Sequence, residues 1–390
     1  MRGIMRYTGA KYFSFAKQDR HNPWLDLLRS LAIFLVLLRH GSRIEGQAPS
    51  GDFLSNVFAN GWIGVDLFFV LSGYLIASAL IRRFEVRKTL WPTAYFRDRI
   101  LRIVPAYYVV LLLCMLGFFP GFSISSSAPG ESFIAHLLFL QDYTGSDINV
   151  VFWSLGVEEK FYILAPFVIL LMVRARTITQ CALLGSSLLL ISPICRGLAL
   201  AAVDQPISYE EFFYLLRSPF HMSLEGFVVG IMAALILSKG WSISKANAGI
   251  GLAASGGALL LVLGSHDFYA SITGYDAWLQ PTIFALLFGI MLLCAASLDG
   301  EKLKLEPFFR TNARLSYALY LVHFPLIPMA TYLSQQQHPL VFWAIYLLLA
   351  YTAAILLHFG IEKPFLIIKN RANKRVRTSG GFEAKEAVAP

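Results

Sequence analysis

Charge is scarce in this chain. Of its 390 residues only 15% are Asp, Glu, Lys or Arg, while 56% are hydrophobic. Soluble globular domains carry about 25% charged residues, so the deficit excludes a soluble enzyme. Cysteine is scarce as well. Cys114, Cys181, Cys195 and Cys294 all fall inside apolar runs without paired spacing, which excludes a disulfide framework and gives no metal-ligand pattern; no metal is expected. No internal repeat stands out. The first 23 residues are basic and lack an apolar core, and no small-residue cleavage site follows the next apolar run. That run therefore reads as an uncleaved first span and not as a secretory signal.

What the chain has in abundance is apolar sequence, with a mean hydropathy of +0.60. Roughly 20 apolar residues cross a bilayer as helix. On that rule ten spans are expected, at residues 24–41, 61–81, 104–122, 152–173, 179–202, 219–238, 247–264, 279–298, 314–333 and 340–361. The loops test this division. Bases crowd the N-terminal tail (Arg2, Arg6, Lys11, Lys17, Arg20), then the loop with Arg82, Arg83, Arg87, Lys88, Arg97, Arg99 and Arg102. Arg174 and Arg176, Lys239 and Lys245, and Lys302, Lys304 and Arg310 mark the later basic loops. Between them, residues 123–151 and 265–278 hold no Lys or Arg, and the loops with Arg43 and Arg217 are balanced by acids such as Glu45 and Asp204. Basic loops are cytoplasmic, so the net charge of +9 reports orientation and implies no nucleic-acid partner.

The fold class expected is thus all-α, a polytopic bundle of about ten spans with both termini cytoplasmic. Residues 1–23 form a cytoplasmic segment, 24–365 the membrane-embedded domain, and 366–390 a basic, disordered tail. The apolar stretch Phe133 to Leu140 is too short to span and reads as interfacial or re-entrant.

A charge at the bilayer centre costs roughly 2.5–3.5 kcal/mol on insertion scales, so each ionisable group within a span needs a reason. The first span holds Asp26, Arg29, Arg39 and His40. Arg29 and His40 are three helical turns apart on one face, separated by about 16 Å along the axis. They read either as an inner anion holder and an outer proton acceptor or as two groups snorkelling to opposite interfaces; Arg39 is expected to snorkel. The second span carries Asp66, for which His40 is a candidate partner, and Ser72-Gly73, which also reads as a small-residue packing seam. In WSLGVEEKFYIL (153–164), Glu158, Glu159 and Lys160 cannot share a face; Glu158 is the inward candidate, with Trp153 and Tyr162 beside it. Arg217, His221 and Glu225 fall at i, i+4 and i+8, one polar stripe of the sixth span. His323 sits beside Pro325, where it serves either chemistry or the carbonyl that proline frees. Arg97, Arg99 and Arg102 suit phosphate oxygens, whether of anionic lipid headgroups or of a nucleotide-bearing acyl donor.

Read together, LDLLRSLAIFLVLLRH (25–40), GVDLFFVLSGYLI (64–76), YFRDRILRIVPAYY (95–108), WSLGVEEKFYIL (153–164) and LSYALYLVHFPL (315–326) resemble the acyltransferase 3 family of integral membrane O-acyltransferases. The five motifs stand in the family's order. The resemblance implies about ten core spans and transfer of an acyl group, commonly acetyl, from cytoplasmic acyl-CoA to a sugar hydroxyl or related acceptor outside. The family's Arg and His fall on Arg29 and His40, its Arg-x-x-Arg on Arg99 and Arg102, and its Val-Glu-x-x-Phe-Tyr on Glu158, Phe161 and Tyr162. Gly156 departs from the polar or small residue usual there. No appended esterase-like domain is expected after the last span.

The expected mechanism has Arg99 and Arg102, with Arg97 and Arg29, holding the phosphates of acyl-CoA. His40, oriented by Glu158 or Asp66, acts as general base on the acceptor hydroxyl. Ser72 or Trp153 donates to the oxyanion, and His221, Glu225, His323 and Tyr162 line the acceptor side. An acyl-His or acyl-Ser intermediate is the rival route. Acyl-CoA is a co-substrate, no cofactor is bound, and the partners are a glycan or glycolipid acceptor and membrane lipids. The location expected is a bacterial inner membrane. The alternative function is a proton-coupled transporter.

Overall fold

The computed structural model describes residue 12 and residues 22–42, 51–87, 93–174, 177–203, 207–269, 272, 274–335 and 338–379. All five N-terminal bases, with Arg43, Glu45, Lys88, Arg176 and Asp204, lie outside the described residues. The described residues are mostly helical, with no strand among them.

The first helix, α1, runs Pro23–Gly41. Asn22 caps it by accepting from the Trp24 and Leu25 amides, and Pro23 opens it where its missing N–H costs nothing. A short helix, α2 (Phe53–Ala59), leads through a tight turn into α3 (Gly64–Arg87). There follow α4 (Thr93–Met115), the loop helix α5 (Pro129–Leu137) and α6 (Trp153–Arg174). Next come α7 (Ile178–Leu189), α8 (Ile191–Ala201), α9 (Glu225–Ser238), α10 (Lys245–Ser265) and α11 (Gln280–Ser297). The chain closes with α12 (Glu306–Val322), α13 (Ile327–Ser334), α14 (Pro339–Leu357) and α15 (Lys363–Ser379).

Five helical stretches are long and apolar enough to cross a membrane: Phe53–Glu85, Thr179–Ala201, Lys245–Ser265, Gln280–Ser297 and Pro339–Asn373. Their outer faces fit that solvent, since Leu183, Leu198, Ile250, Leu261, Leu348 and Leu356 are exposed. The third expected span, 104–122, is displaced. Its helix starts at Thr93, taking the arginines Arg97, Arg99 and Arg102 into its first turns, and stops before Gly117, whose φ of 64° ends it. The sixth is broken: Pro219 and a tight turn at Phe220–Met222 separate Arg217 from α9. Residues 366–379, expected as disordered tail, continue the final helix α15.

Between lipid-embedded helices apolar burial gives little net drive, because lipid tails are as apolar as leucine; close packing and polar pairs decide instead. The α3–α9 contact shows the first. A Cβ on Gly230 would lie 2.2 Å from the Val70 carbonyl oxygen, and one on Gly73 2.3 Å from that of Phe227. Only glycine lets these two backbones meet, so Gly73 is a packing residue, as the small-residue reading had it. Two apolar cores flank the seam, one around α1, α4, α6, α12 and α14, the other between α1, α3, α10 and α11.

Candidate active site

α12 packs along α1 and so brings His323 to His40. His323 Nε2 lies 3.2 Å from His40 Nδ1, with ring centroids 5.1 Å apart. His323 Nδ1 faces the carbonyl oxygens of Leu319 at 3.1 Å and Tyr320 at 2.9 Å. Carbonyl oxygens only accept, so Nδ1 carries the proton and Nε2 presents its lone pair. His40 Nδ1–H fills that lone pair and shares with the Val36 carbonyl at 3.0 Å. The remaining ring atom, His40 Nε2, is then the unprotonated one. It has no hydrogen-bond partner among the described residues. His323 is fully buried and His40 partly open. The arrangement is a fixed imidazole holding a second imidazole as a base. The carbonyl of Leu321, freed by Pro325, is met by Asn149 Nδ2 at 3.5 Å, so His323 does not serve it.

Neither expected carboxylate orients His40. Asp66 forms a two-pronged pair with Arg217, at 2.9 and 2.8 Å. Glu158 accepts from Ser72 Oγ at 2.5 Å and from the Tyr162 hydroxyl. The cause is helix choice: α3 turns Asp66 toward the segment before α9, and α6 turns Glu158 toward α3. Ser72's proton is committed to Glu158. Ser72 is thereby not free for the oxyanion role expected of it, while Trp153 lies under the Arg217 guanidinium, whose carbon is 5.1 Å from its ring, a contact that engages the ring face and not the indole N–H. Yet the groups form one column. Tyr320, its ring 5.8 Å from that of His323, shares a 2.5 Å hydrogen bond with Ser154 and is within electrostatic reach of Glu158. Glu158 holds Tyr162, and Arg99 lies 5.6 Å from the Tyr162 ring.

At the other end of α1, Arg29 pairs with Asp26 at 3.0 Å and is within electrostatic reach of Arg102. The helix between Arg29 and His40 is unbroken, so the two keep the same-face relation read from their spacing. Arg99 is flanked by the rings of Tyr95 and Tyr162, at 5.7 and 5.6 Å. Arg97 is engaged differently: it is tied to Asp98 at 3.2 Å and to Asn373, while its Nε, like that of Arg99, is buried without a hydrogen-bond partner.

The polar stripe of Arg217, His221 and Glu225 does not form, because the helix breaks at Pro219. Each residue goes elsewhere: Arg217 to Asp66, His221 to the Tyr143 hydroxyl at 2.9 Å, and Glu225 to Arg196 and to Thr282 Oγ1 at 2.9 Å. Arg196 is fully buried and also reaches the Trp278 carbonyl. Nothing in the spacing singled it out; a lone Arg beside Pro193 in an apolar run was the available signal. Arg39 does not snorkel. It is buried, donates to the Ala59 carbonyl at 2.7 Å, and lies over the rings of Tyr209 and Tyr269. Lys160 bonds Asp142 Oδ1 and the Phe139 carbonyl, each at 2.5 Å. Gly156 makes room for this, since a Cβ there would meet Asp142 Oδ1 at 2.8 Å. No cluster of His, Cys, Asp and Glu able to hold a metal occurs among the described residues.

Comparison with known proteins follows the same line. O-acetyltransferase OatA of Staphylococcus aureus is 28% identical over 376 residues, covering 88% of this chain and 57% of the relative. Peptidoglycan O-acetyltransferase OatA of Listeria monocytogenes is 26% identical over 393 residues, covering 94% of this chain and 58% of the relative. The chain thus spans less than three fifths of the length of either. No solved structure matches it. The family model for the acyltransferase domain matches residues 22–359, and the chain therefore belongs to the acyltransferase 3 family.

Proposed function

We propose that this chain is a membrane O-acetyltransferase that takes acetyl from cytoplasmic acetyl-CoA and places it on a hydroxyl of an extracytoplasmic glycan. Peptidoglycan is the acceptor class that the relatives' names favour. In this reading the ten expected segments all cross the bacterial inner membrane, with both termini inside and residues 24–365 as the embedded domain. The observation that carries the reading is the His40–His323 pair, set at the opposite end of α1 from Arg29 and Arg102. A base at one end of α1, and at the other Arg29 with Arg102 of α4 beside it, match a reaction whose two substrates come from opposite sides.

The chemistry then runs through His40 Nε2. It accepts the proton of the acceptor hydroxyl as that oxygen attacks the thioester carbonyl. The His40 imidazolium so formed is stabilised by the His323 lone pair on its Nδ1–H. Collapse of the tetrahedral intermediate breaks the C–S bond, and the proton on Nε2 passes to the departing thiolate. General-base assistance of this kind contributes on the order of 100- to 10,000-fold. Two of the acids that a proton-coupled transporter would use, Asp66 and Glu225, are each held by a buried arginine, which favours the transferase reading over that alternative. The test is transfer of labelled acetyl from acetyl-CoA to a peptidoglycan fragment by purified protein. His40→Ala should abolish transfer while the protein stays folded; retained transfer removes His40 from this role.

A further inference from the structure

The cytoplasmic end of α4 gathers more positive charge than its own contacts neutralise. α15 lies along α4 and is fixed there by Asn373, which accepts from Arg97 and donates through Nδ2 to Asp98 Oδ2 at 2.9 Å. The same contact occupies the nearby carboxylate, since Asp98 is engaged by both Arg97 and Asn373. One helical turn before Asn373 stands Lys369, half-buried and within electrostatic reach of both Arg99 and Arg102. Arg99, Arg102 and Lys369 have no ion pair among the described residues; Glu159 is within electrostatic reach of Arg99 and Asp98 of Lys369, two acids against the three cations of the seat and Arg97, and Arg99 Nε is buried without a hydrogen-bond partner. Bringing three like charges together is unfavourable unless a polyanion completes the cluster. The rings of Tyr95 and Tyr162, 5.7 and 5.6 Å from the Arg99 guanidinium carbon, favour a cation at this point.

We infer that α15 supplies Lys369 as the third cation of a phosphate seat with Arg99 and Arg102, and that this seat holds the phosphates of the acyl donor. The inference rests on the donor reading above. The family match ends at residue 359, so α15 lies beyond the matched segment. Phosphate esters reach this face from two sources, a coenzyme or an anionic lipid, and the experiment separates them.

Full-length protein in discs of neutral lipid is assayed with acetyl-CoA and with acetyl-pantetheine, which carries the thioester arm without phosphates. Lys369→Gln should raise KM for acetyl-CoA about tenfold, leave kcat near wild type, and leave acetyl-pantetheine kinetics unchanged. Lys369→Arg should restore the low KM. Asn373→Ala, which frees α15, should move KM in the same direction as Lys369→Gln. An unchanged KM, or an equal rise for both donors, overturns the inference. So does the lipid outcome, in which phosphatidylglycerol stabilises wild type but not Lys369→Gln while KM for acetyl-CoA is unmoved. If wild type transfers acetyl from acetyl-CoA and only the Lys369 effect is missing, this inference alone falls. If wild type uses no acyl-CoA, the functional reading falls with it.

Discussion

His323 works through His40, and its substitutions should say so. His323→Ala removes one of the two acceptors for His40 Nδ1–H, leaving only the Val36 carbonyl, and with it the partner that stabilises the imidazolium. We expect kcat to fall on the order of 100-fold with little change in KM. His323→Gln, whose amide oxygen can accept the same hydrogen bond, should recover part of the loss; equal rates for the two variants would show that the bond between the rings does no chemical work. Both histidines stand out in the sequence as ionisable groups inside apolar runs. Their partnership does not, because it joins α1 to the end of α12 and no local spacing records that packing. The carboxylates misled for a related reason. Depth placed Asp66 and Glu158 near His40, but rotation about α3 and α6 decides the partner, and Arg217 and Ser72 lie on the side they face.

Among elements, the polar groups that hold helices together give the clearest predictions. Arg217→Leu leaves Asp66 buried without its counter-ion, which costs about 3–5 kcal/mol; the melting temperature in detergent should drop steeply. The double variant Asp66→Leu, Arg217→Leu should drop less, and an equal drop would mean that the pair's charge is not what matters. Gly230→Leu places side-chain atoms where the Val70 carbonyl sits, so α3 and α9 must separate; loss of cooperative melting checks this. The loop helix α5 adds a pH dependence. Burial pushes His136 below its ordinary value, against the raising effects of its 2.7 Å bond to the Ser132 carbonyl and of Asp147. The fold therefore favours the neutral ring: its contribution is complete above the ordinary pKa of about 6.5 and is lost progressively as pH falls from there to the lowered folded-state value. Protection of the amides across residues 125–147, measured relative to the intrinsic exchange rate at each pH, should fall between pH 7 and pH 5, and constant protection would contradict it. Helix positions were legible from hydropathy, because length and apolarity are local. Breaks at Pro219 and Gly117 were less so, since a run of apolar residues hides where backbone geometry stops.

For the whole molecule, the proposed orientation rests on the alternation of basic and non-basic loops, which helix packing alone does not test. With native cysteines replaced, Ser126→Cys should react with an impermeant thiol reagent added outside intact cells, and Lys302→Cys only after the membrane is opened; the reverse pattern would invert the protein. The orientation matters because the account puts donor and acceptor on opposite faces of one bundle, joined by the column from Arg99 through Glu158 and Tyr320 to the histidines. The decisive measurement is vectorial transfer in sealed proteoliposomes. Labelled acetyl-CoA is supplied at the face bearing Arg99 and Arg102, and a glycan acceptor is enclosed at the other. Acetylated glycan should accumulate in the far compartment with wild type and not with His40→Ala. Label appearing only on acceptor that shares the donor's compartment, or equal transfer by the two proteins, would contradict the account.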